Sequence, residues 1–314
     1  MLRRLVLATA KTPKGARQGR IAASACIVLS VILGAIFAAY FAGRPGFGTA
    51  TATALFLASI AGGVALGQVF YELDGLFDQQ TRDLRAMDIK ADLDAGRVPD
   101  EPFTLYLRPF ASTDTIARDD SRFVNVAAGA PGIAPQYVMA SDRIEFETQI
   151  ETALRPLGTL VGLGRPLEHF GAGRIVVAFE GWQDLIAKLM DHARLIVLLP
   201  SSRGGTSWEV ERILERGLLP KTIIVDPPNA AGAARKDYDP SAEWDSIRSA
   251  FSTHGRILPP DDENGLLLWF GDSDMPQKLE TAPLGNPRAI RRFATDILDT
   301  IDSGDASIAA TAPA

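Results

Sequence analysis

Residues 195–209 read LIVLLPSSRGGTSWE, and this stretch decides how the rest of the chain is interpreted. Its first five residues form an uninterrupted apolar run, which is typical of a strand that a sheet buries on both faces. Pro200 ends this strand, and residues 201–206 form a loop of mostly small residues. A helix is predicted over residues 207–216, with Gly217 as its stop. Strand, loop and helix in this order predict one repeating unit of an α/β fold.

The same alternation continues on both sides of this unit. Short apolar runs at 103–107, 159–163, 222–225 and 266–270 predict further strands. Two helices are predicted to begin at Ser141 and at Trp182. Three more are predicted further along the chain, over 207–216, 244–251 and 288–301. Strands that alternate with amphipathic helices indicate a parallel sheet with crossover connections. We therefore predict an α/β domain across residues 102–302, of which the last part is a C-terminal extension.

The charges are strongly segregated along the 314 residues. Residues 1–20 carry six bases and no acid, and the only charged residue from 21 to 70 is Arg44. Residues 71–314 contain all 38 acids and carry a net charge of −13, against −6 for the whole chain. Because a domain this acidic repels the phosphate backbone of a nucleic acid, the sequence predicts no nucleic-acid partner. The single cysteine excludes an internal disulfide and a cysteine-based metal cluster.

Two uncharged apolar stretches, 21–43 and 46–69, follow the basic arm. At about 1.5 Å per residue, each is long enough to cross the roughly 30 Å hydrocarbon layer of a bilayer. Arg44-Pro45 suits the turn between them, so residues 21–70 are predicted to form a transmembrane helical hairpin. Buried core helices and a cleaved signal peptide are the alternatives. Buried core helices seldom run so long without a charged residue, and a cleaved signal peptide has a shorter apolar region.

The basic arm of residues 1–20 indicates the orientation of this hairpin. Bases beside a span stay on the cytoplasmic side, and an even number of spans returns the chain to that side. The sequence therefore predicts an inner-membrane protein with the lipid bilayer as a partner and both termini in the cytoplasm. Residues 71–101 are predicted to be a juxtamembrane helix and linker, and residues 303–314 a disordered tail.

The carboxyl end of the central strand is the predicted ligand site, because open α/β sheets bind ligands beyond the carboxyl ends of their strands. The loop there offers four candidate binding residues: Ser201, Gly204, Gly205 and Thr206. A helix N-terminus adds unpaired N–H groups, and Glu209 follows in the predicted first turn. The alternative is that Glu209 and Glu211 only complement the helix dipole on a solvated face. The three histidines are isolated, and no metal-binding or nucleophile motif accompanies them.

Four segments carry a resemblance to a known family. They are FTLYLRPF at 103–110, the helix 182–190, the strand 195–199 with its Pro200, and SWEVE at 207–211. In this order of elements, residues 102–228 resemble a TIR-type domain, which implies a flavodoxin-like parallel sheet. The whole chain also resembles a group of bacterial membrane proteins with two helices, an Arg-Pro-Phe strand end and a Gly-x-x-Trp-Glu helix start.

The resemblance implies one of two functions, because TIR-type domains serve as assembly modules or as enzymes that cleave NAD. Family enzymes use a glutamate on the helix after the third strand, which implies Glu209 or Glu211 here. Residues 205–209 also resemble nucleoside deoxyribosyltransferases, which carry Gly-Thr-x-x-Glu at the equivalent place. Both families cleave an N-glycosidic bond to a ribose. Glu209 is therefore our first choice of catalytic residue, with NAD as the implied substrate and no separate cofactor or metal.

The implied nucleotide suggests roles for several further residues. Arg108, or Arg165 and Arg174, would pair with a pyrophosphate, and Phe110 or Trp208 would stack on a base. The alternatives are a solvated or ion-paired role for each arginine and a core role for Trp208. Without catalysis, the loop 164–174 is the predicted contact through which membrane-anchored copies associate as a homo-oligomer.

Overall fold

A computed structural model describes most of the chain. The described residues are 2, 6–7, 10–42, 49–108, 115–117, 143–167, 170–199, 201–202, 204–226, 240–281 and 286–310. They divide into two compact units, the first comprising Met1–Asp88 and Gly164–Val176 and the second Ile89–Leu163 and Val177–Ala314. The segment Gly164–Val176 therefore belongs to the first unit, although the second unit surrounds it in the sequence.

Two long helices dominate the N-terminal part of the chain. Helix α1 covers Pro13–Ala42 and helix α2 covers Thr49–Asp94, and the last residues of α2 belong to the second unit. Across the part of the chain that the structure describes, no helix has both the length and the apolar character that a membrane crossing needs. Gly96, with a φ of 70°, adopts the left-handed conformation that ends α2. The predicted turn at Arg44-Pro45 lies outside the described residues.

A buried acid on α2 holds the segment Gly164–Val176. Asp83 is 2% exposed, and its carboxylate accepts the backbone N–H groups of Leu167 at 2.8 Å and Arg174 at 2.9 Å. Burial raises the pKa of Asp83, and these two N–H donors oppose that shift. Because a buried carboxylate needs such partners, Asp83 and the segment stabilise each other.

Gln79 makes a second set of bonds one helical turn earlier. Its side-chain oxygen accepts the N–H of Gly171 at 2.9 Å, and its amide group donates to the carbonyl oxygen of Ala172 at 2.8 Å. A Cβ atom at Gly173 would overlap the backbone carbonyl group of Arg82, so the closest approach to α2 falls on a residue without a side chain.

The second unit contains most of the strands and the shorter helices. Its strands are β1 (Phe103–Leu107), β2 (Thr115–Ala117), β3 (Arg143–Glu145), β4 (Thr159–Leu163), β6 (Leu195–Leu198), β7 (Thr222–Asp226), β8 (Leu266–Trp269) and β9 (Lys278–Thr281), whereas β5 (Gly173–Ile175) belongs to the first unit. Its helices are α3 (Phe146–Leu154), α4 (Trp182–His192), α5 (Gly204–Glu215), α6 (Pro240–Thr253) and α7 (Pro287–Ala310).

Within the second unit, six strands of the main sheet follow the order β4-β1-β6-β7-β8-β9. The first four strands are parallel, and β8 and β9 are antiparallel to their neighbours. Every residue of β1, β6 and β7 is buried, as expected for strands covered on both faces of the sheet. The predicted α/β class with a mostly parallel sheet is therefore confirmed. The transmembrane hairpin stays a prediction.

The predicted strand bounds agree closely with the structure. Strands 103–107 and 159–163 coincide with β1 and β4, and strands 195–199, 222–225 and 266–270 differ from β6, β7 and β8 by one residue at their carboxyl ends. These apolar runs are short and sharply bounded, so burial on both faces leaves little freedom in where they begin.

Several helices differ from their predicted bounds, and α6, predicted over 244–251, extends from Pro240 to Thr253. The helix expected from Ser141 begins only at Phe146, because residues 143–145 pair with β2 as strand β3. Helix α7 continues to Ala310, into the segment 303–314 that we expected to be disordered. Residues 311–314 lie outside the described residues.

Helix α5 begins earlier than its sequence indicates. It starts at Gly204 rather than at Ser207, so the predicted loop 201–206 is shorter and Glu209 lies in the second helical turn instead of the first. Thr206 is 2% exposed and Glu209 is 4% exposed. Burial of this face outweighs the low helix propensity of two consecutive glycines, which amounts to about 1 kcal/mol each.

The close approach at Gly173 predicts a specific loss of stability. We expect Gly173→Ala to lower the free energy of unfolding by about 1–3 kcal/mol, because the added methyl group must push the segment away from α2. Gly62→Ala is the control, since Gly62 lies in α2 and a Cβ atom there would have no atom within 4 Å apart from the backbone of its own helix. It should leave stability unchanged or slightly higher. Thermal unfolding of the full chain in detergent measures both, and equal stabilities would contradict this packing.

Candidate functional site

The chain changes direction across the sheet at β1. It proceeds from β1 to β4 on one side, and later continues with β6 on the other side. The parallel pair β1 and β6 aligns Leu107 with Leu198, and the Leu199 N–H donates to the Leu107 carbonyl oxygen at 2.8 Å. The carboxyl ends of these strands, followed by Arg108 and Ser201, therefore lie side by side. This is the topological switch point, where open α/β sheets bind ligands.

Glu209 is a buried acid on the helix that follows β6. It is 4% exposed, and the nearby Val210 and Ile213 of α5 are buried as well. Among the described residues, no group forms a hydrogen bond with its Oε2 atom. Burial raises the pKa of Glu209 to about 8, so the side chain is mostly protonated at neutral pH. Glu209 thus does not lie on a solvated face, whereas Glu211 is exposed.

The loop after β6 is bonded to an acid that the sequence analysis did not single out. Glu243, in the first turn of α6, is only 9% exposed. Its carboxylate accepts the Ser201 hydroxyl and the Ser202 N–H, both at 2.5 Å, and the Ser202 hydroxyl at 2.9 Å. Glu243 lies 42 positions from Ser201 in the sequence. No local motif marks it, so only the tertiary structure could reveal this contact.

Arg108 is paired with an acid of the same unit. Its Nε atom lies 3.1 Å from Oε2 of Glu147, and the two side chains are 14% and 6% exposed. Glu147 lies in the first turn of α3. A ligand phosphate would therefore compete with Glu147 for this guanidinium group.

Trp208 packs between side chains of two helices. Its ring centroid lies 5.1 Å from that of Trp182 in α4, in an edge-to-face arrangement with an interplanar angle of 75°. The guanidinium group of Arg212 lies over the Trp208 ring at 5.2 Å. Trp208 is half-buried, so it joins α4 to α5 and still exposes part of its ring.

The structure does not bring all of the predicted site residues into one unit. Arg165 and Arg174 belong to the first unit. Arg165 is exposed, whereas Arg174 is 1% exposed and is attracted electrostatically to Asp83. Phe110 lies outside the described residues. The second unit contains the remaining predicted site residues, namely Arg108, Ser201, Gly204, Gly205, Thr206, Trp208 and Glu209.

A further buried acid lies at the carboxyl end of β7. Asp226 is 5% exposed, and its Oδ2 atom has no hydrogen-bond partner in the described part of the chain. Burial, and then the neighbouring Asp261 carboxyl group, raise the pKa of Asp226 to about 8. Sequence reasoning missed Asp226, because an acid after an apolar strand is common. No three His, Cys, Asp or Glu side chains of the described residues are arranged to hold a metal ion.

Comparison with protein-family models, with curated proteins and with solved structures gives no match for this chain. The fold and the site nevertheless define a class, that of an α/β protein with a buried acid on the helix beside the switch point of its sheet. Strongly perturbed acids at such a position are candidates for function, because an unpaired buried carboxyl group lowers stability.

The buried carboxyl group of Glu209 predicts a stability that depends on pH. The unfolded chain ionises Glu209 near its ordinary pKa of 4.5, whereas the folded chain keeps the proton until about pH 8. The contribution of Glu209 to the free energy of unfolding is therefore complete below pH 4.5. As the pH rises towards 8 this contribution falls, by up to about 1.4 kcal/mol per pH unit.

Glu209→Gln removes this titration. We expect the variant to gain stability relative to wild type as the pH rises from about 5 to 8, and the difference to level off above that range. Glu211→Gln, an exposed acid of the same helix, should follow wild type at every pH. Denaturant unfolding at a series of pH values measures the difference. A constant difference between Glu209→Gln and wild type would show that Glu209 is not held neutral.

Proposed function

We propose that this chain is a membrane-anchored, TIR-like protein that binds a nucleotide and hydrolyses the N-glycosidic bond of NAD. One observation carries the proposal. Glu209 is a buried carboxyl group, unpaired at Oε2 by any described residue, on the helix that follows the switch-point strand. A group of this kind can stabilise charge in a site from which water is largely excluded.

The strand order supports the TIR-like part of the proposal. Numbered along the chain, the four parallel strands β4-β1-β6-β7 stand in the order 2-1-3-4. Flavodoxin-like sheets have this order, with a ligand at the switch point between strands 1 and 3. The TIR-type domains that the sequence resembles place their functional glutamate on the helix after the third strand. Helix α5, which carries Glu209, occupies that position here.

The reaction adds water to NAD and breaks the bond between the ribose C1′ and the nicotinamide nitrogen. Nicotinamide, ADP-ribose and a proton are the products. Nicotinamide leaves as a neutral base, so the leaving group needs no proton donor. An ionised Glu209 stabilises the positive charge that develops on the ribose. The positive nicotinamide ring of bound NAD would lower the pKa of a nearby carboxyl group, so substrate binding promotes this ionisation.

The proposed membrane anchor is supported by apolar side chains that α1 leaves uncovered. Eight large apolar residues of this helix are at least 44% exposed: Ile21, Val28, Leu29, Ile32, Leu33, Ile36, Phe37 and Tyr40. Soluble proteins seldom expose so extensive an apolar surface to water. We propose that lipid covers it and that the hairpin of residues 21–70 anchors the protein in the inner membrane with both termini in the cytoplasm.

A non-catalytic signalling or assembly module is the second candidate function. Two of the residues predicted to bind a nucleotide already have internal partners, since Arg108 pairs with Glu147 and Trp208 packs against Trp182 and Arg212. Such contacts are typical of structural residues. In this alternative, membrane-anchored copies associate through the segment 164–174 as a homo-oligomer.

The enzymatic proposal predicts that the full chain, reconstituted in liposomes, releases nicotinamide from NAD. We expect Glu209→Gln to lower kcat about 100-fold or more, as the loss of an electrostatic stabiliser does. The control, Glu211→Gln, should retain wild-type activity. The kcat/KM of the wild-type chain should rise with pH, reach half of its maximum near pH 8 and level off above that, because the ionised form of Glu209 in the free enzyme is the active one.

Two results would contradict this role of Glu209. One is the absence of nicotinamide release from the wild-type chain, and the other is release that Glu209→Gln leaves unchanged. Activity that falls above pH 8 would assign Glu209 the role of proton donor instead of charge stabiliser.

The membrane proposal predicts a cytoplasmic C-terminus. In bacterial cells, a fluorescent reporter that matures only in the cytoplasm should be active when fused after Ala314. An alkaline phosphatase fused at the same position should be inactive, because it needs the periplasm to form its disulfides. The reverse pair of results would overturn the orientation.

A further inference from the structure

Helix α6, in the C-terminal extension, is held firmly within the second unit. Trp244, Ile247 and Phe251 are at most 3% exposed. The indole N–H of Trp244 donates to the Pro259 carbonyl oxygen at 3.0 Å, and Phe251 stacks on Phe270 with ring centroids 6.0 Å apart. A helix anchored in this way presents its other side chains in well-defined positions.

Glu243 is the side chain that α6 presents to the loop after β6. Oε1 accepts the Ser201 hydroxyl and the Ser202 N–H, and Oε2 accepts the Ser202 hydroxyl. Hydrogen bonds to an ionised acceptor are stronger than those between neutral groups. Because one donor is the Ser202 backbone N–H and two are hydroxyl groups, Glu243 contacts the backbone of Ser202 and the side chains of both serines.

These two residues belong to the short link between β6 and α5, of which the structure describes Leu199, Ser201 and Ser202. Ser201 is 4% exposed, so its bond to Glu243 is shielded from water. Competition from water is therefore weak at this contact, and breaking it would remove a hydrogen bond between two buried groups. Along the chain, Ser201 and Ser202 lie between the strand of the switch point and the helix that carries Glu209.

We propose that Glu243 is a positioning residue of the candidate site, which holds Ser201 and Ser202 in the conformation that accepts the nucleotide. This inference rests on the proposed function, and it gives a role to a part of the chain beyond the TIR-like residues 102–228. Glu243 acts through Ser201 and Ser202 and takes no part in bond breaking. Loss of Glu243 therefore affects binding of NAD more than the chemical step.

Two variants and one matched control test the proposal in the full chain in detergent. Glu243→Ala removes the three described acceptor contacts, and Glu243→Gln keeps an acceptor oxygen but loses the charge. Asp245→Asn is the control, because Asp245 is an exposed acid of the same helix that pairs only with Arg248, at 3.1 Å, among the contacts described for it. Should Glu243→Ala fail to fold, Glu243→Gln provides the same comparison with a smaller effect.

The first measurement, hydrogen exchange of the peptide that contains residues 201–206, does not require activity. We expect exchange about tenfold faster in Glu243→Ala, a smaller increase in Glu243→Gln and no change in Asp245→Asn. The second measurement is nicotinamide release. KM for NAD should rise about tenfold in Glu243→Ala, while kcat changes less. A purely structural role would reduce the amount of folded protein and leave KM unchanged.

The outcomes separate this proposal from the proposed function. Unchanged exchange in Glu243→Ala overturns the positioning role, and so does faster exchange with a wild-type KM. If the wild-type chain releases no nicotinamide, the proposed function fails. The affinity for NAD is then measured by calorimetry in place of KM. Weaker NAD binding in Glu243→Ala than in wild type then supports the positioning role. Equal binding, or no NAD binding to the wild-type chain, overturns it.

Discussion

The parallel pairing of β1 with β6 is the constraint on which the candidate site depends. Backbone hydrogen bonds join the strands at both ends, from the Arg194 N–H to the Phe103 carbonyl oxygen at 3.0 Å and from the Leu199 N–H to the Leu107 carbonyl oxygen at 2.8 Å. Both strands are fully buried, so a shift in register would expose apolar side chains and leave backbone groups unpaired. This pairing places β6 on the opposite side of β1 from β4, and the switch point lies between β1 and β6.

Buried acids occur in both units, but their surroundings differ. Asp83 accepts two backbone N–H groups and an amide donor from Gln79, which offset part of the cost of burial. Glu209 has an oxygen that no described group pairs, and burial alone raises its pKa. The hydrogen bonds of Asp83 stabilise the local structure around it. The burial of Glu209 lowers the stability of the folded chain, and a loss of stability of this kind is characteristic of residues retained for binding or chemistry.

Much of the sheet could be predicted from the sequence, and much of the site could not. The strands β1, β4, β6, β7 and β8 were predicted to within one residue, because their apolar runs are continuous and sharply bounded. Strands β2, β3, β5 and β9 are not predicted by the sequence, and β5 lies largely in the segment 164–174 that was expected to be a loop. The four residues of β9 alternate between half-buried and exposed positions and carry a lysine and a glutamate. The contact of Glu243 with Ser201 was not predicted, because contacts between distant residues leave no local periodicity. The burial of Arg174 could not be predicted either, because no residue near Arg174 in the sequence indicates that it lies close to Asp83.

The sequence by itself determined the α/β class, the positions of the main strands and the segregation of charge. These features follow from local patterns, in which apolar spacing and charge decide whether a segment is buried, whereas the candidacy of Glu209 came from the resemblance of residues 205–211 to known families. Only the tertiary structure decided that Glu209 is buried and largely protonated, that Arg108 already pairs with Glu147, and that Glu243 holds the link after β6. The physical reason is that desolvation and pairing depend on which groups meet in space, and chain folding brings together residues that are far apart in the sequence.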